Sequence, residues 1–247
     1  TEQPYFGRFG WAGQSVEVPG SDTVWQADGE MLTPATPVTL TTRNGSGQTF
    51  AIRLSIDDDY MITAEQSVTN NSGDAVAVMP YALVSRVRDE DKVLPEDQDQ
   101  WTIHSGPVGV FDGAAEFDWN YDDVEEAGAK GVEFGGDIGW IGFTDKYWLA
   151  ALIPGNSDAV EARLRSGAGN LYQAGISGGA FRIVPAGKKL TTTNRLFAGA
   201  KENDLLEAYE SAGVTQFDRA IDWGWFYWFE KPIFYLLAAL FKYVGNF

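Results

Sequence analysis

Cysteine is absent from this chain of 247 residues, and histidine occurs once, as His104. Without a thiol the chain has no disulfide, no thiolate nucleophile and no zinc site built on cysteine. A lone imidazole with neither a second histidine nor a cysteine makes a poor metal site. We therefore interpret His104 as a structural or surface residue, and the sequence predicts no metal site and no cofactor.

Basic residues are also scarce, because 18 lysines and arginines stand against 35 acidic residues and give a formal net charge of −17. So acidic a chain is a poor match for nucleic acid, and we expect no nucleic-acid partner. No apolar run approaches the roughly 20 residues that a helix needs to cross a bilayer. Because the chain starts in mid-sequence and ends on an apolar stretch, we interpret it as a piece excised from between transmembrane segments.

Apolar and polar residues alternate between Pro37 and Arg86, as in Phe50, Ile52 and Leu54. This period of two predicts half-buried antiparallel strands, and turn residues such as those at Asn44-Gly45 separate them. Further strands are predicted at Trp101–Phe111, Ile138–Phe143, Tyr147–Ile153, Ala159–Arg165, Leu171–Ile176, Phe181–Val184 and Leu190–Ala198. Short strands joined by glycine-rich turns indicate a mainly β fold, a large antiparallel sandwich.

Helical periodicity appears only near the end of the chain, where Leu205, Ala208, Tyr209 and Ala212 share one face. We therefore expect helices only as terminal additions to a β body. The acidic stretch from Asp89 to Gln100 is predicted to be a long exposed loop.

The run Gly175-Ile176-Ser177-Gly178-Gly179 matches the G-x-S-x-G pattern of a nucleophile elbow. That elbow requires a turn from a strand into a helix and a histidine downstream, whereas His104 lies upstream in a β-rich chain. We interpret the run as a glycine-rich β-turn, and we predict no catalytic residue.

Acidic clusters raise the question of a cation site or of a catalytic carboxylate pair. Asp57-Asp58-Asp59 fits a solvated turn better than calcium, because three consecutive side chains point in different directions. Asp89, Asp91 and Asp97 begin like an EF-hand loop, but the required glycine and glutamate are missing. Several carboxylates also lie between Asp112 and Asp123, which we interpret as a negative surface. Sequence spacing leaves open whether two of them reach the ~5–9 Å separation of a glycosidase pair.

The C-terminal 25 residues hold 11 of the 34 aromatic residues. From Pro232 to Val244 the large apolar residues follow the pattern of an amphipathic helix, which is too short to span a bilayer and is expected to lie along its interface. The alternative is that this helix packs on the rest of the chain as ordinary core. The residues predicted to meet the membrane interface are Trp223, Trp225, Trp228, Ile233, Leu236, Leu237, Leu240, Phe241 and Val244.

Several phrases spread over nearly the whole chain resemble the periplasmic region of the YidC/Oxa/Alb family of bacterial membrane-protein insertases, and their order and spacing carry the resemblance. They are Tyr5-Phe6-Gly7-Arg8-Phe9-Gly10-Trp11, Gly139-Trp140-Ile141-Gly142-Phe143-Thr144-Asp145-Lys146-Tyr147-Trp148, Ala150-Ala151-Leu152-Ile153-Pro154, Arg195-Leu196-Phe197-Ala198-Gly199-Ala200-Lys201, Ile221-Asp222-Trp223-Gly224-Trp225, Lys231-Pro232 and Val244-Gly245-Asn246.

The resemblance implies a β-super-sandwich related to galactose mutarotase, closed by short helices, the last of them amphipathic. It also implies a place at the periplasmic face of the inner membrane, contact with the Sec translocon components SecD and SecF, and access to nascent membrane proteins through the parent protein. Insertion itself is carried in the family by a transmembrane core that this chain lacks. We accordingly divide the chain into a sandwich domain at residues 1–200, a packing helix and connection at 201–216, and an aromatic linker with an interfacial helix at 217–247.

A rival hypothesis is a carbohydrate-binding or carbohydrate-active β-sandwich. Such a protein would use exposed tryptophans as stacking platforms, and Trp25, Trp101 and Trp119 are the candidates. The fold alone does not imply sugar chemistry. A mutarotase-type site would also require a pair of histidines, and the chain has one.

Overall fold

A computed structural model describes residues 5–88, 104–155, 160–222 and 227–244. The strands are β1 (Tyr5–Gln14), β2 (Gln26–Ala27), β3 (Val38–Arg43), β4 (Gln48–Ile56), β5 (Met61–Asn70), β6 (Val76–Val87), β7 (Gly106–Phe111), β8 (Ala114–Glu116), β9 (Val132–Phe134), β10 (Ile138–Thr144), β11 (Trp148–Pro154), β12 (Val160–Gly167), β13 (Leu171–Gly178), β14 (Arg182–Val184) and β15 (Lys189–Ala200). The α-helices are α1 (Tyr121–Glu126), α2 (Asn203–Ser211) and α3 (Tyr227–Val244).

In the described part of the chain these strands form two antiparallel sheets. The smaller sheet has six strands in the order β1-β6-β13-β12-β9, with β14 also paired to β6. The larger sheet has nine strands in the order β2-β3-β4-β5-β15-β11-β10-β7-β8. The prediction of a mainly β, antiparallel super-sandwich with C-terminal helices is therefore confirmed.

The main core lies between the two sheets and follows from the alternation along their strands. In β4, Phe50 and Ile52 point into the sandwich and are buried, whereas Arg53, which follows Ile52, is exposed. Phe143 of β10 meets Ala82 of β6 and Ile176 of β13 in the same interior. Fully burying each large apolar side chain stabilises the fold by about 1.5–3 kcal/mol, so the sandwich forms without disulfides.

A second core covers the outer face of the nine-stranded sheet. Trp140 of β10 packs edge-on against Phe217 at 5.7 Å between ring centroids, and its indole N–H donates to the carbonyl of Thr215 at 3.2 Å. Phe217 belongs to a short 3₁₀ helix (Phe217–Ala220) that follows α2. Because both faces of β10 are covered, its sequence is apolar almost throughout rather than alternating.

The expectation that helices occur only at the end of the chain is wrong, because α1 lies in its middle. Asn120 caps this helix by accepting a hydrogen bond from the N–H of Asp123, whose carboxylate accepts one from the N–H of Asn120 in return. Tyr121 and Val124, three residues apart, are its buried side chains. A helix of six residues is too short to show a helical period among so many acidic neighbours.

The glycine-rich β-turn predicted at residues 175–179 is also wrong for most of its length, because β13 continues to Gly178. Gly175 lies between Leu83 of β6 and Arg163 of β12, and a Cβ atom there would come within 2.5 Å of the Leu83 side chain. Glycine is therefore required here by close packing between strands rather than by a turn. The predicted loop from Asp89 to Gln100, the EF-hand-like aspartates within it and Trp101 lie outside the described residues.

Candidate membrane-interface surface

The C-terminal helix α3 begins earlier than the sequence predicts. Pro232 was expected in its first turn, but the described helix already includes Tyr227, so Pro232 is the sixth residue of that span. Proline lacks the N–H that would bond to the carbonyl four residues earlier, and this marks it as a typical first-turn residue. Aromatic residues that we assigned to the aromatic linker before Pro232, such as Phe229, are instead part of the helix.

Two side chains one turn apart attach α3 to the sandwich domain. The ammonium of Lys231 lies 2.8 Å from the Glu207 carboxylate of α2 and 2.7 Å from the Asp218 carboxylate of the 3₁₀ helix. The hydroxyl of Tyr235 donates to Glu207 and accepts a hydrogen bond from the Asn203 side-chain amide at 3.0 Å. We call these five residues the polar latch.

The charges of the polar latch stabilise one another. The hydrogen bond from Lys231 holds the pKa of Glu207 below its ordinary value. Partial burial raises the pKa of Asp218, but the hydrogen bonds with Lys231 and Glu210 and the nearby positive charges together outweigh it, and the pKa is lowered. Burial alone lowers the pKa of Lys231. The two carboxylate partners together have a larger effect, so the pKa of Lys231 lies above its ordinary value. All three groups are therefore charged near neutral pH.

The apolar residues of α3 lie on the side of the helix opposite the polar latch. Ile233, Leu236, Leu237 and Leu240, which we call the apolar helix face, are 37%, 60%, 59% and 48% exposed. At 100° per residue these four fall within one arc, and Lys231 and Tyr235 fall about half a turn away from it. None of the four belongs to a buried cluster of the described chain. The structure therefore does not pack them on the sandwich as ordinary core.

The remaining residues of the predicted interface cannot be placed in the same way. Trp223 and Trp225 lie outside the described residues, as do the side chains of Trp228, Phe241 and Val244. The structure thus brings four of the nine predicted residues together on one exposed surface, and their contact with a membrane stays a prediction. None of the described helices is long and apolar enough to span a bilayer.

His104 and Asp57, two other residues singled out in the sequence, have contacts that fit structural roles. His104 contacts the Pro107 carbonyl through Nε2 at 2.8 Å, and its ring lies edge-on to Phe117. Burial lowers the pKa of His104, which favours the neutral imidazole. Asp57 organises its turn by accepting hydrogen bonds from the N–H groups of Asp59 and Met61. The described residues contain no group of three histidine, cysteine or acidic side chains able to hold a metal ion.

Trp25 and Trp119, two of the three tryptophans considered as sugar platforms, are half-buried against other aromatic rings. Trp25 stacks on Trp11 with ring centroids 6.5 Å apart, and Trp119 lies edge-on to Phe134 at 5.9 Å.

The family model for the YidC periplasmic domain matches residues 1–236, which include the sandwich, α2 and the polar latch. This chain belongs to the YidC periplasmic-domain family. The YidC sequence of Zymomonas mobilis, named membrane protein insertase YidC, is 40% identical over 249 residues and covers the whole chain. The insertases of the same name from a Methylobacterium species and from Rickettsia canadensis are 41% and 37% identical, covering 99% and 100% of the chain.

The chain spans about two fifths of the length of these YidC relatives, between 40% and 44%. Those relatives are named as membrane protein insertases. A galactose mutarotase-related enzyme from Lactobacillus acidophilus is 6% identical, with a TM-score of 0.49 over 72% of this chain and 71% of that one. A similarity at this level carries no argument about activity.

The polar latch is the part of the site that sequence reasoning missed. Lys231 and Tyr235 are spaced by four residues, which places them on one face of a helix. Their partners lie 13 to 32 residues earlier in the chain, in other elements. The spacing within α3 could have indicated a polar face, but nothing in the sequence indicates which residues that face meets.

Proposed function

We propose that this chain is the periplasmic accessory domain of a YidC-type insertase and that α3 holds it at the periplasmic face of the inner membrane. One observation carries the proposal. On a single helix, the polar latch binds the sandwich while four large aliphatic side chains on the opposite side remain in solvent. Apolar area of this kind gains free energy on entering the boundary between headgroups and acyl chains.

The proposal assigns no chemical step to this chain. Its role is positional, and insertion belongs to the part of the parent protein that lies outside these residues. We further propose, from the family resemblance, that the domain contacts SecD and SecF and meets nascent membrane proteins only through the parent protein. Copurification of SecD and SecF with the parent protein, compared with the parent protein lacking this region, tests the contact. Equal recovery from both would contradict it.

Binding to liposomes tests the membrane role of α3. Zwitterionic vesicles are preferred, because the net charge of −17 repels the domain from anionic lipid. We expect the chain to co-sediment with vesicles and the double variant Leu236→Asp/Leu240→Asp to lose at least tenfold in partition coefficient, since each substitution removes an apolar group worth about 1–3 kcal/mol.

A matched control separates the helix from the general effect of added charge. Val24 and Met31 are 84% and 71% exposed on the sandwich domain, so Val24→Asp/Met31→Asp adds the same charge elsewhere. This control is expected to bind vesicles like the unmodified chain. If the helix variant also bound unchanged, or if it lost thermal stability instead of vesicle binding, the membrane role of α3 would be wrong.

A further inference from the structure

Strand β1 is a long edge of the six-stranded sheet. It pairs with β6 in continuous register from Tyr5–Arg86 to Gln14–Ala77, and no other strand of the described residues pairs with it. The other strands of the described chain that pair on one side only, β9, β14, β2 and β8, have three, three, two and three residues. Proteins usually protect long edges with lysine, proline or a bulge, because an open edge is a template for another strand. β1 contains no lysine, no proline and no bulge in its pairing with β6, and Arg8 is its one charged residue.

Two independent observations show which residues of β1 form hydrogen bonds with β6 and which direct their backbone groups outward. Gly10 pairs with Tyr81, and the side-chain amide of Gln66 donates to both of their carbonyls, at 2.8 Å and 3.4 Å. One donor reaches both oxygens only if both carbonyls point into the space between β1 and β6. Pro80, paired with Trp11, has no N–H to give that ladder. Gly10 therefore bonds to β6, and the odd-numbered residues Gly7 and Phe9 direct their N–H and C=O groups outward.

One half of this edge is covered and the other half is open. At the covered half, Trp11 stacks on Trp25, and a Cβ atom on Gly13 would come within 2.4 Å of the Val16 carbonyl. At the open half, residues 7–10 form one wall of a groove of about 520 Å³. An added strand could therefore pair with Gly7 and Phe9 through up to four backbone hydrogen bonds.

The opposite wall of this groove is apolar. It is built by the part of the nine-stranded sheet that extends past β1, with Leu40 from β3, Ile52 and Leu54 from β4, and Ile62 from β5. Side chains of an added strand that point toward the larger sheet would meet this wall. Successive residues of a strand point to opposite faces, so every second residue of the occupant should be apolar.

The positive charge of Arg8 favours a particular residue on the other face of the bound strand. Arg8 is the one charged residue among those that line the groove, it is exposed, and it forms no ion pair with any described residue. Phe6, on the same face of β1, is 54% exposed. In a chain of net charge −17 this local positive site favours a carboxylate on the occupant.

We infer that the edge formed by Tyr5 to Gly10 binds an extended peptide as an added β-strand, with apolar residues at alternate positions and an acidic residue beside Arg8. A lipid or a glycan could occupy the apolar wall but could not satisfy the outward N–H and C=O groups of Gly7 and Phe9 in alternation. Strand addition provides affinity through the main chain and specificity through alternate side chains. This peptide-binding role is separate from the membrane contact of α3.

The test uses the whole chain in solution without lipid, so that its failure is distinguishable from failure of the membrane proposal. The probe is a fluorescent eight-residue peptide of alternating valine and threonine with one threonine replaced by glutamate. Two derivatives carry backbone N-methyl groups on alternate residues in opposite phases. In one derivative the methyl groups block the amides that face β1, and in the other derivative those amides are free. The comparison therefore needs no change in the protein.

We expect saturable binding of the unmodified peptide, a loss of at least tenfold in affinity for one N-methyl phase, and little change for the other. In the protein, Arg8→Glu should weaken binding of the glutamate peptide several-fold and strengthen binding of the matching lysine peptide. Equal binding of both N-methyl phases would show adsorption to the apolar wall and would overturn strand addition. Absence of saturable binding up to millimolar peptide would overturn the site itself.

Discussion

Arg86 and Asp145 form an ion pair inside the sandwich, with 2.6 Å between Nη1 and Oδ1 and only 1% of the Arg86 side chain exposed. Arg86 belongs to β6 of the smaller sheet, and Asp145 directly follows β10 of the larger one. The Tyr5 hydroxyl donates to the other carboxylate oxygen at 2.8 Å, and Arg86 donates to the Tyr121 hydroxyl at 2.5 Å. The pair therefore joins the two sheets at one end of the sandwich.

Replacing Arg86 by methionine should lower the free energy of unfolding by about 3–5 kcal/mol, because the Asp145 carboxylate, which is only 17% exposed, would lose its buried countercharge. Urea denaturation measures the loss. Arg53→Met is the control, since Arg53 is exposed on β4, and it should change stability by less than about 0.5 kcal/mol. A loss below about 1 kcal/mol for the Arg86 variant would show that the pair does not hold the sheets together.

The polar latch should determine where α3 lies without determining whether the sandwich folds. Because the chain has no cysteine, Ser211→Cys and Leu237→Cys allow two spin labels to report the distance between α2 and α3. Lys231→Met should broaden a narrow distance distribution, since Glu207 and Asp218 lose their shared cation. Unfolding of the sandwich should change by no more than about 1 kcal/mol, as for partly exposed ion pairs.

The control for the latch experiment is Lys189→Met, which removes an exposed lysine at the start of β15. Its distance distribution should match that of the labelled parent chain. An unchanged distribution in the Lys231 variant would mean that contacts other than the polar latch position α3.

Lys201 should make stability depend on pH in the alkaline range. Burial lowers the pKa of Lys201 to about 8, and the nearby Asp145 and Asp222 carboxylates offset this only in part. In the unfolded chain the pKa is about 10.4, so between these values the unfolded state binds more protons and the Lys201 contribution to stability rises with pH. Relative to Lys201→Met, the parent chain should gain roughly 2–4 kcal/mol between pH 7 and 10.5.

Thermal or urea unfolding of both chains across this pH range measures the Lys201 contribution as a difference, which removes the effect of lysines that titrate alike in the two chains. The ammonium donates to the Thr144 hydroxyl at 2.8 Å, so the two chains also differ by a constant amount that does not depend on pH. A difference that stayed flat from pH 7 to 10.5 would contradict the lowered pKa.

Gly142 should tolerate no side chain. In β10 it pairs with Ala151, and a Cβ atom would come within 2.0 Å of the Ala150 carbonyl oxygen. Because that contact is with the backbone of a central strand, Gly142→Ala should cost about 3 kcal/mol or more and lower the melting temperature by roughly 6–12 °C. Gly20→Ala, where nothing lies within 4 Å, is the control and should change it by less than about 2 °C.

Alternation of side chains predicted most strands well, because a half-buried strand displays its two faces in its sequence. The predicted strand Tyr147–Ile153 corresponds to β11 (Trp148–Pro154). The same signal does not predict β1, since Gly7, Gly10 and Gly13 carry no side chain at the positions where the alternation would be visible. Glycine there reflects close neighbours in other parts of the chain, such as the Leu196 side chain of β15 beside Gly7 and the Tyr81 side chain of β6 beside Gly10.

The apolar helix face was predictable for the same reason, because one helical period orders Ile233, Leu236 and Leu237. The orientation of this face was not predictable, because it depends on which groups bind Lys231 and Tyr235. Those groups lie on α2 and on the 3₁₀ helix, and their positions follow from the packing of Phe217 on Trp140. Contacts between separate elements leave no fixed spacing in a sequence.

The latch residues of α3 lie within a single helical turn, and this gives the helix the geometry of a lever. From Tyr235 to Val244 the helix continues for about 14 Å at 1.5 Å per residue. If the apolar helix face follows the bilayer surface, any change in the slope of that surface acts on the sandwich through the turn that contains Lys231 and Tyr235. A modest tilt of the helix would then swing the far end of the sandwich through a much larger distance.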